Sequence, residues 1–314
     1  QNPRKIYIYC NKSKKKKILY NIFMGRRTRI YIYIAREKQT EYLDTLKTNN
    51  NNKKMSKSCC PDGSWPALIV DTERESLNGT VETLPTGLKI YYTPAKTESK
   101  KAVIVLYDVY GFKGGRIKSV CDQFACEGFH VLMPDLYGNE ASIADYGGFS
   151  SPGGQKFLKE FTNEDSANKL DAVYEYLKAK GCSTFGAIGF CWGAYPVFGE
   201  SARGKIQAGA SCHPSLGVGE MLFGDKVSDQ AGKVTCPILL CPAGNDPPVV
   251  KNGGDVQKII QGKGLSCDIE EFPDMAHGWV PRGDTSDEKV KRDVQKSLET
   301  ACKFFHDKLS SSGL

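Results

Sequence analysis

Long hydrophobic runs are missing from this chain of 314 residues. No stretch approaches the roughly 18 to 20 apolar residues that a membrane helix needs, and no secretory signal pattern is present, so no membrane partner is expected. The twelve cysteines include no C-x-x-C pair, and adjacent Cys59 and Cys60 cannot readily bridge to each other. A disulfide framework is therefore excluded, and a reduced, cytoplasmic protein is expected. Histidine is scarce: His130, His213, His277 and His306 form no metal-ligand spacing with one another or with the cysteines, so neither a metal nor a cofactor is expected. A G-x-G-x-x-G fingerprint is lacking too. Gly186, Gly189 and Gly193 cluster at one strand-to-helix turn, but with a different spacing and late in the chain, which argues against a dinucleotide site.

Basic charge is abundant only at the start. Residues 1–54 hold 15 Lys and Arg against Glu37, Glu41 and Asp44, a net +12, whereas the remainder carries 28 basic and 33 acidic residues, a net −5. The body is mildly acidic, and no nucleic-acid partner is expected. The leader alternates Ile and Tyr at Ile6–Tyr9 and Ile30–Ile34 and contains runs of Lys and Asn. Repeated TATATA and A-rich DNA encode such runs. Residues 1–54 are therefore expected to be a non-native or disordered leader, translated from upstream non-coding sequence, with residues 55–314 forming one α/β domain. A transit peptide or a basic arm for RNA or membrane surfaces is the alternative.

From Met55 a polar lead-in precedes Thr80–Thr83 and Leu88–Tyr92, which flank Pro85-Thr86-Gly87 and read as an edge hairpin. Lys101–Asp108 (KAVIVLYD) is the continuous apolar run of a strand buried on both faces of a parallel sheet. Ile117, Val120, Phe124 and Ala125 recur at helical spacing, and a strand follows at His130–Pro134. Residues 136–161, rich in Gly, Ser and Phe, lack clear periodicity and are expected to form a lid or substrate loop. Thr162-x-x-Asp165 opens a helix that stops at Gly181. Further strands are predicted at Ala208–Cys212, Pro237–Pro242 and Asp268–Phe272, with helices near Val256–Gln261 and from Val290 to Phe305. Alternating strands and helices predict a doubly wound, mostly parallel α/β sheet with helices on both faces, whose ligands bind at the carboxyl ends of the strands.

The chain is organised around Thr184–Ala194, TFGAIGFCWGA. A β-leaning run ends in Gly189-Phe190-Cys191-Trp192-Gly193, the nucleophile elbow G-x-S-x-G with Cys for Ser. Glycine at both flanks lets strand and helix pass closely in a strained turn, and the helix N-terminus favours thiolate over thiol. In the α/β-hydrolase order, an acid and then a histidine follow the nucleophile. Asp246 lies in Ala243–Pro248 after a predicted buried strand, and His277 lies in Asp274–Trp279 between the last strand and the last helix. His130 and His306 lie in a strand and a helix, and His213 precedes Asp246. In this reading His277 takes the Cys191 proton and later activates water, Asp246 orients the imidazole, and the backbone N–H groups of Trp192 and Val109 form an oxyanion hole.

These motifs, with Tyr107–Phe112, Pro134–Tyr137, Gly244-Asn245-Asp246 and His277-Gly278-Trp279, resemble the dienelactone hydrolases (carboxymethylenebutenolidases) over roughly residues 78–309. The resemblance implies a monomeric α/β-hydrolase with a Cys-Asp-His triad that opens enol lactones. It also implies an acid contacting the resting thiol, here Asp108, shorter than the Glu common at that position. Family members that bind carboxylated lactones use pocket arginines. Residues 136–161 contain none, which leaves Arg282 as the candidate carboxylate clamp and Trp279 as an accessory substrate-binding residue. A thioesterase, a general carboxylesterase or a peptidase would use the same triad, and a non-catalytic binding protein can share the fold.

Overall fold

The apolar runs become the middle of a sheet. In the computed structural model, which describes residues 60–68 and 77–310, strands β1 (Thr80–Thr83), β2 (Lys89–Thr93), β3 (Lys101–Leu106), β4 (His130–Pro134), β5 (Thr184–Phe190), β6 (Ala208–Cys212), β7 (Ile238–Cys241) and β8 (Cys267–Ile269) form one eight-stranded sheet. Their order is β1-β2-β4-β3-β5-β6-β7-β8. The first two strands pair antiparallel at one edge, and β4, β3, β5, β6, β7 and β8 run parallel. Almost every residue of β3, β5, β6 and β7 is buried, as a strand covered on both faces requires. The expectation for residues 1–54 lies outside the described residues, as does the start of the polar lead-in.

Helices α1 (Ile117–Cys126) and α9 (Glu288–Ser310) pack together as one covering layer. Helices α3 (Asn163–Ala179), α4 (Ala194–Ala202) and α6 (Val227–Lys233) pack in series as another, α6 meeting α7 (Asp255–Gly262). The short helices α2 (Pro152–Leu158), α5 (Gly217–Phe223) and α8 (Trp279–Arg282) lie in connections. The start of α3 follows its sequence signal: Thr162 Oγ1 accepts from Asp165 N–H while the Asp165 carboxylate accepts from Thr162 N–H. Gly128 and Gly181, with φ of +88° and +90°, end the helices that precede them.

One expectation changes. The predicted strand at Asp268–Phe272 is observed as Cys267–Ile269, after which Phe272 makes only an isolated bridge to Ala243. Residues 136–161, expected to form a lid or substrate loop, carry two short helical segments. Ser142 and Ser151 cap them, the second with Pro152 in its first turn. The segment is anchored by buried Tyr137, Phe149, Phe157 and Phe161, and the Tyr137 ring lies 4.9 Å from that of Trp192. Its apolar residues serve one aromatic cluster instead of one helix face, so no period is visible in the sequence.

The crossing of β5 and α4 over β3 is tight. A Cβ on Gly193 would meet the Leu106 carbonyl oxygen far inside van der Waals contact, and one on Gly189 would meet the Gly193 carbonyl. Gly193→Ala is expected to cost about 1–3 kcal/mol by overpacking against backbone that cannot yield. Urea unfolding measures it, and an unchanged midpoint would contradict this account of the turn.

Candidate active site

The elbow places its thiol by backbone strain. Cys191 has φ of +53°, a left-handed conformation rare for a residue with a side chain, and it joins β5 to the turn before α4. Its side chain is fully buried at the carboxyl end of the strand. Sγ lies 3.4 Å from Ser215 Oγ, and the Ser215 N–H donates to the Cys191 carbonyl at 3.1 Å.

The acid and the histidine meet as the chain order predicts. His277 Nδ1 lies 2.6 Å from Asp246 Oδ1, both side chains excluded from solvent, and Asp246 Oδ2 accepts from the Ala243 N–H at 2.7 Å. The two loops are tied by backbone as well. Gly244 N–H donates to the Met275 carbonyl, and the Asn245 Oδ1 accepts from His277 N–H at 2.7 Å. Gly244 must be glycine, since a Cβ would collide with the Pro273 carbonyl. Burial opposes charge on the His277 ring, but the charge of Cys191 and the Asp246 bond outweigh it, so its proton affinity is raised well above the usual value of 6.5.

Asp108 and Arg282 find each other. Arg282 Nε donates to Asp108 Oδ2 at 2.8 Å with both side chains buried, while Asp108 Oδ1 accepts from Tyr110 N–H at 2.9 Å. The carboxylate is thus engaged by the guanidinium and a turn. Burial pushes the Asp108 carboxyl up, with Arg282 pulling against it. Burial also opposes the Arg282 charge, but Asp108 prevails and holds it more firmly protonated than usual. The guanidinium lies 4.7 Å from the Tyr110 ring centroid and against Gly278, where any Cβ would strike it. Its second terminal nitrogen, Nη2, is buried with no hydrogen-bond partner among the described residues.

Val109 and Trp192 are buried beside the elbow, and the Val109 carbonyl accepts from Ile143 N–H, which ties the 136–161 segment to the site. Trp279 is fully buried with its ring 5.2 Å from His213 and 5.1 Å from Phe272. It packs behind the histidines.

Three neighbours escaped the sequence reading. His213, at the end of β6 with φ of +41°, is buried with neither ring nitrogen bonded among the described residues, and lies edge-on to His277 at 4.8 Å. Burial and then the charge of His277 push its proton affinity well down. Ser215, two residues on, carried no motif. The third is Cys60, whose Sγ lies 3.6 Å from that of Cys191. The polar lead-in therefore folds over the site: Trp65 N–H donates to the His277 carbonyl, and Asn245 Nδ2 to the Asp62 carbonyl. Pro61-Asp62-Gly63, with Gly63 at φ +81°, was the turn signal that could have revealed it. Folding also brings ligand atoms of Cys60, Cys191 and His277 within 4.8 Å of one another, a closeness that no spacing along the chain announces.

Comparison with known proteins gives the family and the fold. The family model described as the dienelactone hydrolase family matches residues 89–309. An AIM2 family protein of Schizosaccharomyces pombe is 29% identical over 257 residues, covering 79% of this chain and 98% of that protein. A carboxymethylenebutenolidase homolog of Homo sapiens is 26% identical over 205 residues, 62% of this chain and 77% of that protein. Among solved structures, a putative dienelactone hydrolase from Klebsiella pneumoniae superposes with a TM-score of 0.56 at 17% identity, over 72% of this chain and 98% of that one, a likeness of fold. With most of its length matched and its sheet in this order, the chain belongs to the dienelactone hydrolase family of α/β-hydrolases.

Proposed function

We propose that this chain hydrolyses a lactone or carboxylic ester of the dienelactone kind through Cys191, His277 and Asp246, as a monomer acting in the cytoplasm on a small molecule. The supporting observation is the buried 2.6 Å bond between His277 and Asp246 at the elbow that carries Cys191. Asp246 fixes the ring tautomer and stabilises its cation, so His277 can take the Cys191 proton. The thiolate attacks the carbonyl carbon, and the N–H groups of Trp192 and Val109 receive the developing oxyanion, each donor supplying about 3 kcal/mol of transition-state stabilisation. The ring or ester C–O bond breaks, His277 returns the proton to the leaving oxygen, and the acyl group stays on sulfur. Neutral His277 then takes a proton from water, which attacks the thioester and frees Cys191.

Arg282 supports an anionic substrate. Asp108 uses one edge of its guanidinium, and Nη2 is a buried donor still lacking an acceptor, which a substrate carboxylate would supply.

The deciding experiment compares hydrolysis of dienelactone and a neutral aryl ester with and without a thiol alkylator. Alkylation-sensitive turnover favouring dienelactone is expected; turnover of the neutral ester alone would move the function to a general esterase or thioesterase. Cys191→Ala should abolish hydrolysis while the thermal unfolding midpoint holds, and full activity in that variant would end the proposal.

Asp246→Asn should lower kcat by about 10⁴, because the ring loses its orienting acceptor. The raised proton affinity of His277 keeps the imidazolium–thiolate pair intact as pH climbs through 6.5, and the pair is lost only above that raised value. Removing the Asp246 charge lowers it, so the alkaline limb of single-turnover acylation should shift to lower pH. A limb that stays in place would contradict the assigned role.

Arg282→Lys preserves a charge for Asp108 but loses the fork. KM for dienelactone should rise about 10- to 100-fold, the range for a lost hydrogen bond to a charged group, with KM for the neutral ester held. Equal rises on both substrates would count against the clamp.

A further inference from the structure

Cys60 has no part in the hydrolytic scheme, yet it is held beside the nucleophile. The segment that carries it is pinned at two points to the acid and histidine loops, by Asn245 to Asp62 and by Trp65 to His277. The two sulfurs stand 3.6 Å apart. Two thiolates on one tetrahedral zinc, each at about 2.3 Å from the ion, lie about 3.8 Å apart, whereas a disulfide needs them near 2 Å. The third ligand is in place. With Nδ1 of His277 bonded to Asp246, Nε2 is buried with no oxygen or nitrogen partner among the described residues, and a ring nitrogen lies within 4.8 Å of both sulfurs. A carboxylate on the far ring nitrogen is the arrangement that orients zinc-binding imidazoles and raises their basicity.

We propose that Cys60, Cys191 and His277 form a site for a soft divalent cation, Zn²⁺ above all, with solvent in the fourth position. Two thiolates and an imidazole select zinc over Mg²⁺ or Ca²⁺, which require oxygen ligands. Cys60 releases its thiol proton, the Cys191–His277 pair releases the one proton it shares, both pass to solvent as the ion binds, and no oxidant is needed. The ion then occupies the sulfur that would attack and the nitrogen that would accept the proton, so zinc holds the hydrolase off reversibly. Binding needs only the three side chains; this consequence rests on the hydrolytic role proposed for Cys191.

The test uses the full chain, metal-free and kept reduced with a phosphine, titrated with Co²⁺ to read sulfur-to-cobalt charge-transfer absorption and with Zn²⁺ by calorimetry. Wild type is compared with Cys60→Ser and with Cys126→Ser, an exposed cysteine as control. Wild type and Cys126→Ser should show the thiolate band and the same zinc affinity. In Cys60→Ser the affinity should fall about 100-fold, the scale on which zinc sites respond to losing support, and the band should weaken. The ratio of ester hydrolysis with and without Zn²⁺, taken for each variant, should rank them in the same order. Equal zinc affinity and an undiminished band in Cys60→Ser would overturn the site. If the metal-free protein hydrolyses no ester, the band and the affinity difference still decide the metal site, so the two proposals fail separately.

Discussion

The closeness of three backbone segments governs this molecule. β3 and β5 are paired in register from Lys101 with Thr184 to Leu106 with Gly189, and the chain leaving β5 must turn back across the end of β3 at once. Glycine at 189 and 193 is the condition for that turn, since a Cβ at either position would overlap backbone oxygen or carbon. The strain is concentrated on Cys191, at φ +53°, which is forced outward from the sheet at the carboxyl end of the central strand. Everything else in the site is arranged around where that sulfur emerges.

The ends of β7 and β8 are brought to the sulfur by a second set of close contacts. Gly244 meets Pro273, Asn245 holds the His277 backbone, and Asp246 holds its ring. One short stretch thus fixes both the position of the His277 ring and which of its nitrogens faces the carboxylate. The buried Asp246 carboxylate accepts from His277 Nδ1 and from Ala243 N–H, so its charge is not left unpaired in a medium where that would cost several kcal/mol.

Much of this was legible in the chain. Uninterrupted apolar runs marked β3, β5, β6 and β7, the capping residues of α3 marked its start, and the elbow glycines marked the turn that carries Cys191. These are local signals, each written in a few adjacent residues. The partner of Arg282 was not legible, because Asp108 and Arg282 are 174 residues apart and nothing local to either announces the other. Cys60 lies 131 residues from Cys191 and reaches it only through a Pro-Asp-Gly turn that looks like any surface turn. Residues 136–161 concealed their order for another reason, since aromatic side chains converging on Trp192 from short capped turns have no single period to detect.

Opposite charges meet beside the thiol. Arg282 draws negative charge toward Cys191, and Asp108 repels it; each feels the cysteine, and the two are joined by a 2.8 Å bond. Their fields on the sulfur are opposed, and the ring of His277 feels both the charge of Cys191 and the bond to Asp246. The arginine–aspartate pair therefore sets one positive and one negative charge against the thiol through two side chains joined to each other.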